Sequence, residues 1–369
     1  MQPLNSYNFS SGPAMLPHEV MLEIQRDLLN WQGLQRSVME ISHRSKPFDD
    51  MIKQAEHDFR ELLDLPANYQ VLFVHGSASH QFAMIPMNIY GKGIVDYIDT
   101  GTWSHKAVQE AEKFTKVNKI NGLKKDEAGR TQLIDSKEWV LSSDADYLFY
   151  TPNETIGGVQ FADVPDSRSL YGKDVPLIAD MSSCILSRPV DVSRFGLIFA
   201  GAQKNIGTAG LTMVIIRDDL IRRVDESVPT LMQYKTYADY GSLYNTPPVF
   251  PVYVAGLVFA WVKKQGSLQA MAEINQRKAE KLYQCIDTLD FYSSPIAPDS
   301  RSVMNVPFLL AEDSFNKQFL QQAESKGLYA LNGHRSVGGM RASIYNAMPE
   351  AGIDALTSFL GEFATTATA

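Results

Sequence analysis

A chain of 369 residues exceeds the size at which one hydrophobic core stops growing, so two packed domains are expected. With 34 basic against 42 acidic residues the net charge is −8, which argues against a broad polyanion-binding face and sets nucleic acid aside as a partner. Two cysteines, Cys184 and Cys285, cannot build a disulfide framework and fit a reducing cytoplasm, and the polar start Met1–Asn8 lacks the pattern of a secretory signal.

Apolar runs at Val71–Val74, Ile94–Ile98, Tyr147–Tyr150, Leu177–Ala179, Leu197–Ala200 and Leu211–Ile216 predict strands covered on both faces. Amphipathic stretches such as His105–Phe114 lie between them, and that alternation predicts a doubly wound α/β sheet. The run Phe250–Val262 contains Pro251 and falls short of the roughly 20 residues that span a bilayer. It reads as a buried helix, so no membrane association is expected. From Val252 to Leu289 the pattern is helical, broken near Gly266-Ser267. A strand at Met304–Leu310, a helix at Phe315–Lys326, a strand at Met340–Tyr345 and a helix at Gly352–Phe363 follow. The expected organisation is an N-terminal arm (1–16), a large domain (17–256) and a smaller α+β domain (257–369).

Ligands of open α/β sheets bind beyond the carboxyl ends of the strands, so those ends are where chemistry is sought. In His75–Gln81 small residues let backbone amides approach an anion at a helix start, with Ser79 available as N-cap. Taken alone, this is an ordinary strand–turn–helix connection, and it is neither a Walker A loop nor a dinucleotide fingerprint. Asp180 closes its strand, where a carboxylate needs a cation such as a protonated pyridinium, or else caps a helix at Met181-Ser182-Ser183. The residue alone does not choose between the two. Lys204 is the single charge between Arg194 and Arg217, and burial there would make it a usable amine nucleophile and base. Trp103 either stacks on a ring or packs in the core, and Thr155 either donates a hydroxyl or serves a turn. Together, an anion loop, an aromatic, a buried carboxylate and an isolated lysine make the set that a pyridoxal phosphate site requires.

Longer segments carry a resemblance: Asn8–Pro17, Ser37–Arg44, Pro152–Ile156, Gly201–Gly207, Tyr244–Pro248, Gly333–Arg335 and Gly338–Ala347. Through them the chain resembles the phosphoserine aminotransferase family over nearly its whole length. The resemblance implies an α/β pyridoxal-phosphate-dependent fold of type I, with a mostly parallel seven-stranded sheet in the large domain and a smaller C-terminal α+β domain. It also implies a homodimer with shared active sites. Lys204 matches the Schiff-base lysine, Asp180 the partner of the pyridine nitrogen, Trp103 the stacking aromatic, and Thr155 and Gln203 further cofactor contacts. Ala78 and Ser79 match the donors to the cofactor phosphate, joined by Asn245 and Thr246 from the second subunit. Ser11 and Arg44 match substrate contacts, and Arg341 the clamp on the substrate α-carboxylate. His43, His334 and Arg335 resemble groups around the distal anion, the last two reaching in from the other chain.

The implied reaction moves an amino group between L-glutamate and 3-phosphohydroxypyruvate, with 3-hydroxy-2-oxo-4-phosphooxybutanoate of pyridoxine biosynthesis as a further substrate. No metal-ligand set is expected. One departure stands out: many members carry arginine in a more glycine-rich loop where this chain has Ser79, flanked by Ser77 and His80. A rival within the fold is an alanine–glyoxylate aminotransferase, which would not need the His43-Arg44 and His334-Arg335 pairs, and a rival of another class is a non-catalytic binding module, which would be expected to lack Lys204 or Asp180. A cysteine desulfurase would need a reactive cysteine on a mobile loop, which neither Cys184 nor Cys285 resembles.

Overall fold

The computed structural model describes residues 6–367 except Tyr90, Lys92, residues 222–226 and Ser336. Seven strands form the central sheet: β1 (Tyr69–His75), β2 (Ile94–Asp99), β3 (Lys116–Asn121), β4 (Ala145–Tyr150), β5 (Leu177–Asp180), β6 (Leu197–Gly201) and β7 (Leu211–Arg217). Their order is β1-β7-β6-β5-β4-β2-β3. Only β7 runs against its neighbours; the other pairings are parallel. All six expected apolar runs are therefore strands of one mostly parallel sheet. The seventh, β3, went unread because it is an edge strand. Lys116, Lys119 and Asn121 stay exposed, so no continuous apolar run marks it.

Successive side chains of each strand enter opposite cores, as the two-residue period requires. In β4, Leu148 and Tyr150 belong to one core, Tyr147 and Phe149 to the other. The first core is covered by α1 (Lys46–Leu62), while α2 (Ala78–Ile89) and α3 (Thr102–Ala111) cover the second. The buried helix α4 (Val249–Lys264) packs on α1, with the Phe59 and Phe259 rings 4.8 Å apart. Among the described residues no helix is long and apolar enough to cross a membrane.

Helix α5 (Leu268–Thr288) opens with Ser267 as N-cap, its hydroxyl accepting from the Ala270 amide. A three-stranded antiparallel sheet follows, from β8 (Tyr292–Ser293), β9 (Asn305–Leu310) and β10 (Met340–Ser343). With α6 (Asn316–Ser325) and α7 (Glu350–Ala367) it encloses a separate core around Leu282, Phe308, Phe319 and Phe359. Phe9 lies in that core, and Tyr7–Asn8 pair in parallel with Leu328–Tyr329, so the N-terminal arm is docked on the C-terminal layer. The boundary expected at 256/257 falls inside α4, whose Val254 and Val258 share one core. The chain passes to the second core beyond the turn at Gly266, a glycine with φ of 110°.

Candidate active site

The chemistry gathers at the carboxyl ends of β1, β2, β4, β5 and β6. Asp180, the last residue of β5, is 5% exposed. Its Oδ1 accepts from the Ser182 amide at 3.0 Å and the Ser182 hydroxyl at 2.6 Å. The segment after it is a series of turns rather than a helix, so the capping alternative is not realised. Ser182 Oγ also accepts the Gly201 amide at 3.0 Å, tying this turn to the start of the Lys204 loop. Burial raises the Asp180 carboxyl above its ordinary value, opposed by Ser182 and by the charge of Lys204.

Lys204 follows β6 and is 8% exposed. Its Nζ donates to Thr155 Oγ1 at 2.6 Å and stands 5.9 Å from the Trp103 ring centre. Burial lowers the amine to about 8, against the pull of the Asp180 and Glu154 carboxylates. Lys204 and Asp180 thus face the same space without bonding each other: one is held by Thr155, the other by Ser182.

Trp103 is the second residue of α3. Among the described residues its buried indole Nε1 has no partner, and Lys106 Nζ lies 4.6 Å from its ring centre. Ala78 and Ser79 open α2, so Ser79 sits in the first turn instead of capping it. The His80 ring folds back, Nδ1 accepting the Ser77 amide at 3.1 Å. That fold needs Gly76, at φ 95°, because a Cβ there would come within 2.7 Å of the His80 ring. One cavity is lined by Ala78, Ser79, Trp103, Thr155, Asp180, Gln203 and Lys204, all of the cofactor residues expected from this chain.

Asn245 and Thr246, expected to act in the second subunit's site, do not line it, and neither do His43 and Arg44. His43 Nε2 and Asn245 Oδ1 are buried with no partner among the described residues, while Arg44 is exposed. Arg341, in β10, donates from Nη2 to Ser11 Oγ at 2.8 Å, and its buried Nε has no partner among the described residues. The His334 imidazole is lowered by burial, then by the charges of Arg341, Arg335 and Lys106. His57, Asp58 and Glu61 meet on the surface of α1, where the Lys263 ammonium bridges the two carboxylates at 2.7 Å each. Cys184 is buried and its thiol pushed up to about 12, so it is not a nucleophile.

Two site residues escaped the sequence reading. Glu154 is fully buried and accepts the Trp103 amide at 3.3 Å and the Ser104 amide at 2.9 Å. It is the only charge between Asp146 and Asp163, the same signal that marked Lys204. Tyr345, also buried, donates its hydroxyl to the Ser11 carbonyl at 3.0 Å and lies beside Thr155.

The profile of the family described as Aminotransferase class-V matches residues 6–356, and the chain belongs to that family. Over 359 residues it is 54% identical to a phosphoserine aminotransferase of Hahella chejuensis, covering 97% of this chain and 98% of that one. The phosphoserine aminotransferase of Bacillus circulans subsp. alkalophilus superposes with a TM-score of 0.93 at 42% identity, over 98% of this chain and 99% of that one. The PLP-bound phosphoserine aminotransferase of Trichomonas vaginalis gives 0.89 at 40% identity, over 96% and 99%.

Proposed function

We propose that this chain is a pyridoxal-phosphate-dependent transaminase moving an amino group from L-glutamate to 3-phosphohydroxypyruvate, yielding 2-oxoglutarate and O-phospho-L-serine. The observation that carries the reading is Lys204 and Asp180 aimed into one cavity, each held by a neutral hydroxyl and neither neutralising the other. The donor set fits a phosphorylated pyridine. The first turn of α2 offers amides to a phosphate, Trp103 a flat face, Asp180 an anion for a ring N–H, and Lys204 an amine. Once bound, the cofactor supplies an electron sink for the charge left at the substrate α-carbon.

This chain's own residues supply the rest. Asp180 would favour a proton on the ring nitrogen, because a cation beside it lowers the energy of a buried carboxylate. The Lys204 amine, partly neutral near pH 8, would take the α-proton of glutamate and, in the second half-reaction, deliver a proton to the α-carbon of O-phospho-L-serine. Thr155 fixes the direction of Nζ. Arg341 offers Nε and a tethered Nη2 as two parallel donors for the α-carboxylate.

A homodimer in the cytoplasm is part of the proposal. Exposed Met39, Tyr240, Tyr244 and Val337 lie in the same segments as His43-Arg44, Asn245-Thr246 and His334-Arg335. A second subunit covering those side chains would bring the missing polar groups to the shared sites. The four-carbon keto acid 3-hydroxy-2-oxo-4-phosphooxybutanoate, with the same phosphate and α-keto acid groups, is the expected second acceptor.

The test is a visible spectrum of the purified protein with bound cofactor, first with glutamate and then with 3-phosphohydroxypyruvate. Loss of the long-wavelength band followed by its return shows both half-reactions. Faster turnover of alanine with glyoxylate would defeat the substrate assignment.

A further inference from the structure

Lys278 lies in the middle of α5, 1% exposed, and is not explained by any role given so far. Its Nζ donates to the carbonyls of Ile344 at 3.1 Å, Tyr345 at 2.8 Å and Met348 at 3.0 Å. In its ammonium form it has a proton for each carbonyl; burial lowers the group to about 7, and the three acceptors favour the charged form. None of the three acceptors is a carboxylate; Glu350 acts on Lys278 only at a distance and pairs with Arg277 at the surface. Burying a cation among neutral groups is costly, so a leucine or methionine here would be cheaper unless those carbonyls needed donors. Those of Ile344 and Met348 lie where the chain leaves β10 and turns before α7, beyond the sheet ladder, while that of Tyr345 also accepts the Met348 amide at 3.0 Å.

That turn touches the active site from two successive residues. Tyr345 meets Thr155, the residue holding Lys204 Nζ, while Asn305 Nδ2 donates to the Tyr345 hydroxyl at 3.0 Å. Asn346 donates its amide at 3.0 Å to Oδ1 of Asn205, the neighbour of Lys204. Asn275, three residues before Lys278 and so on the same face of α5, donates to Asn346 Oδ1 at 2.9 Å. One face of α5 thus holds the turn, and the turn holds both sides of the lysine.

We propose that Lys278 is a positioning residue for transamination: by clamping three carbonyls of the 344–348 turn it aims Tyr345 and Asn346 at Thr155 and Asn205, and so fixes the direction of the Lys204 amine. The inference rests on Lys204 being the amine that carries the cofactor. A wild-type holoenzyme without the long-wavelength band would defeat that reading, whereas the variants below address Lys278 alone.

Lys278→Met, Tyr345→Phe and the double variant are compared as holoenzymes. Lys278→Met is expected to retain its cofactor, to lose kcat by roughly 10- to 100-fold, and to shift the pH at which the cofactor's visible band changes. A residue serving stability alone would lower the melting temperature and leave that pH where it is. Because both residues act through one turn, the double variant is expected to lose less than the product of the single losses. Should Lys278→Met not accumulate, Lys278→Gln retains two donors and is expected to show smaller changes of the same kind. A wild-type kcat with an unmoved spectral transition in either Lys278 variant, or single losses that multiply fully in the double, overturns the proposal.

Discussion

The Glu154 carboxylate accepts both the amide of Ser104, at 2.9 Å, and its hydroxyl, at 2.7 Å, so the loop after β4 closes the first turn of α3. A negative group there meets the unpaired amides and positive end of the helix. Burial raises the carboxyl, and the bonds from Ser104 and Trp103 work against that rise. Trp103 is thereby held through its backbone rather than through its ring.

Glu154→Gln replaces one acceptor with an NH₂ group that points at an amide. The stacking face should lose its fixed angle and the cofactor about tenfold in affinity, equivalent to about 1.4 kcal/mol. Titration of the apoprotein with pyridoxal phosphate measures it. Gly101→Ala should act in the same direction, since a Cβ there would lie 2.9 Å from Glu154 Cδ at a φ of 155°. Wild-type affinity in both variants would remove Glu154 from the site.

Asp180→Asn preserves size and an oxygen for the Ser182 contacts but removes the charge that a ring cation needs. Turnover is expected to fall by on the order of 10²–10³ while the cofactor stays bound, as when a preorganised electrostatic partner is lost. A loss below about tenfold would mean that the ring nitrogen is not where Asp180 points.

What the sequence disclosed about this site follows from contrast. Lys204 and Asp180 stood out because each is a charge at the end of an apolar strand, where solvation cannot be its purpose. Glu154 has the same isolation, but Pro152 and Asn153 beside it make the segment look like an ordinary turn. Lys278 could not be found that way. It follows Arg277 and precedes Glu280 and Lys281 in a helix whose charges mostly are solvated, and only packing shows which of them faces inward. The position of Ser79 within α2 was missed because a serine before an apolar run fits an N-cap or a first turn equally well. Which residues a second chain contributes cannot be read from spacing along one chain.

The pH dependence of cofactor uptake follows from the burial of Lys204. Only the neutral amine condenses with an aldehyde, and with a value of about 8 its neutral fraction rises tenfold per pH unit below that point. Uptake by the apoprotein should therefore steepen from pH 6 and level off above 8; a flat rate from pH 6.5 to 9 contradicts it. The linkage has the same sign. Between about 8 and the ordinary 10.5 the unfolded chain binds more protons at this lysine, so apoprotein stability gains from this group as pH rises through that window. Lys204→Met should remove that gain along with nearly all turnover.

Arg341 tests the substrate end. Its Nη2 is tethered to Ser11, yet its buried Nε has no partner among the described residues, and an unsatisfied buried donor costs about 1–3 kcal/mol. A planar carboxylate would relieve that cost by taking Nε and Nη2 together. Arg341→Lys keeps the charge and loses the fork, so KM should rise roughly 10- to 100-fold with kcat little changed. The α-carboxylate is common to glutamate and to the phosphorylated keto acid, so both KM values should rise together. Ser11→Ala, which only frees Nη2, should raise both by a smaller factor. A rise confined to the phosphorylated substrate would place Arg341 on the phosphate, and the α-carboxylate would then need another cation, such as Lys106 or Arg335.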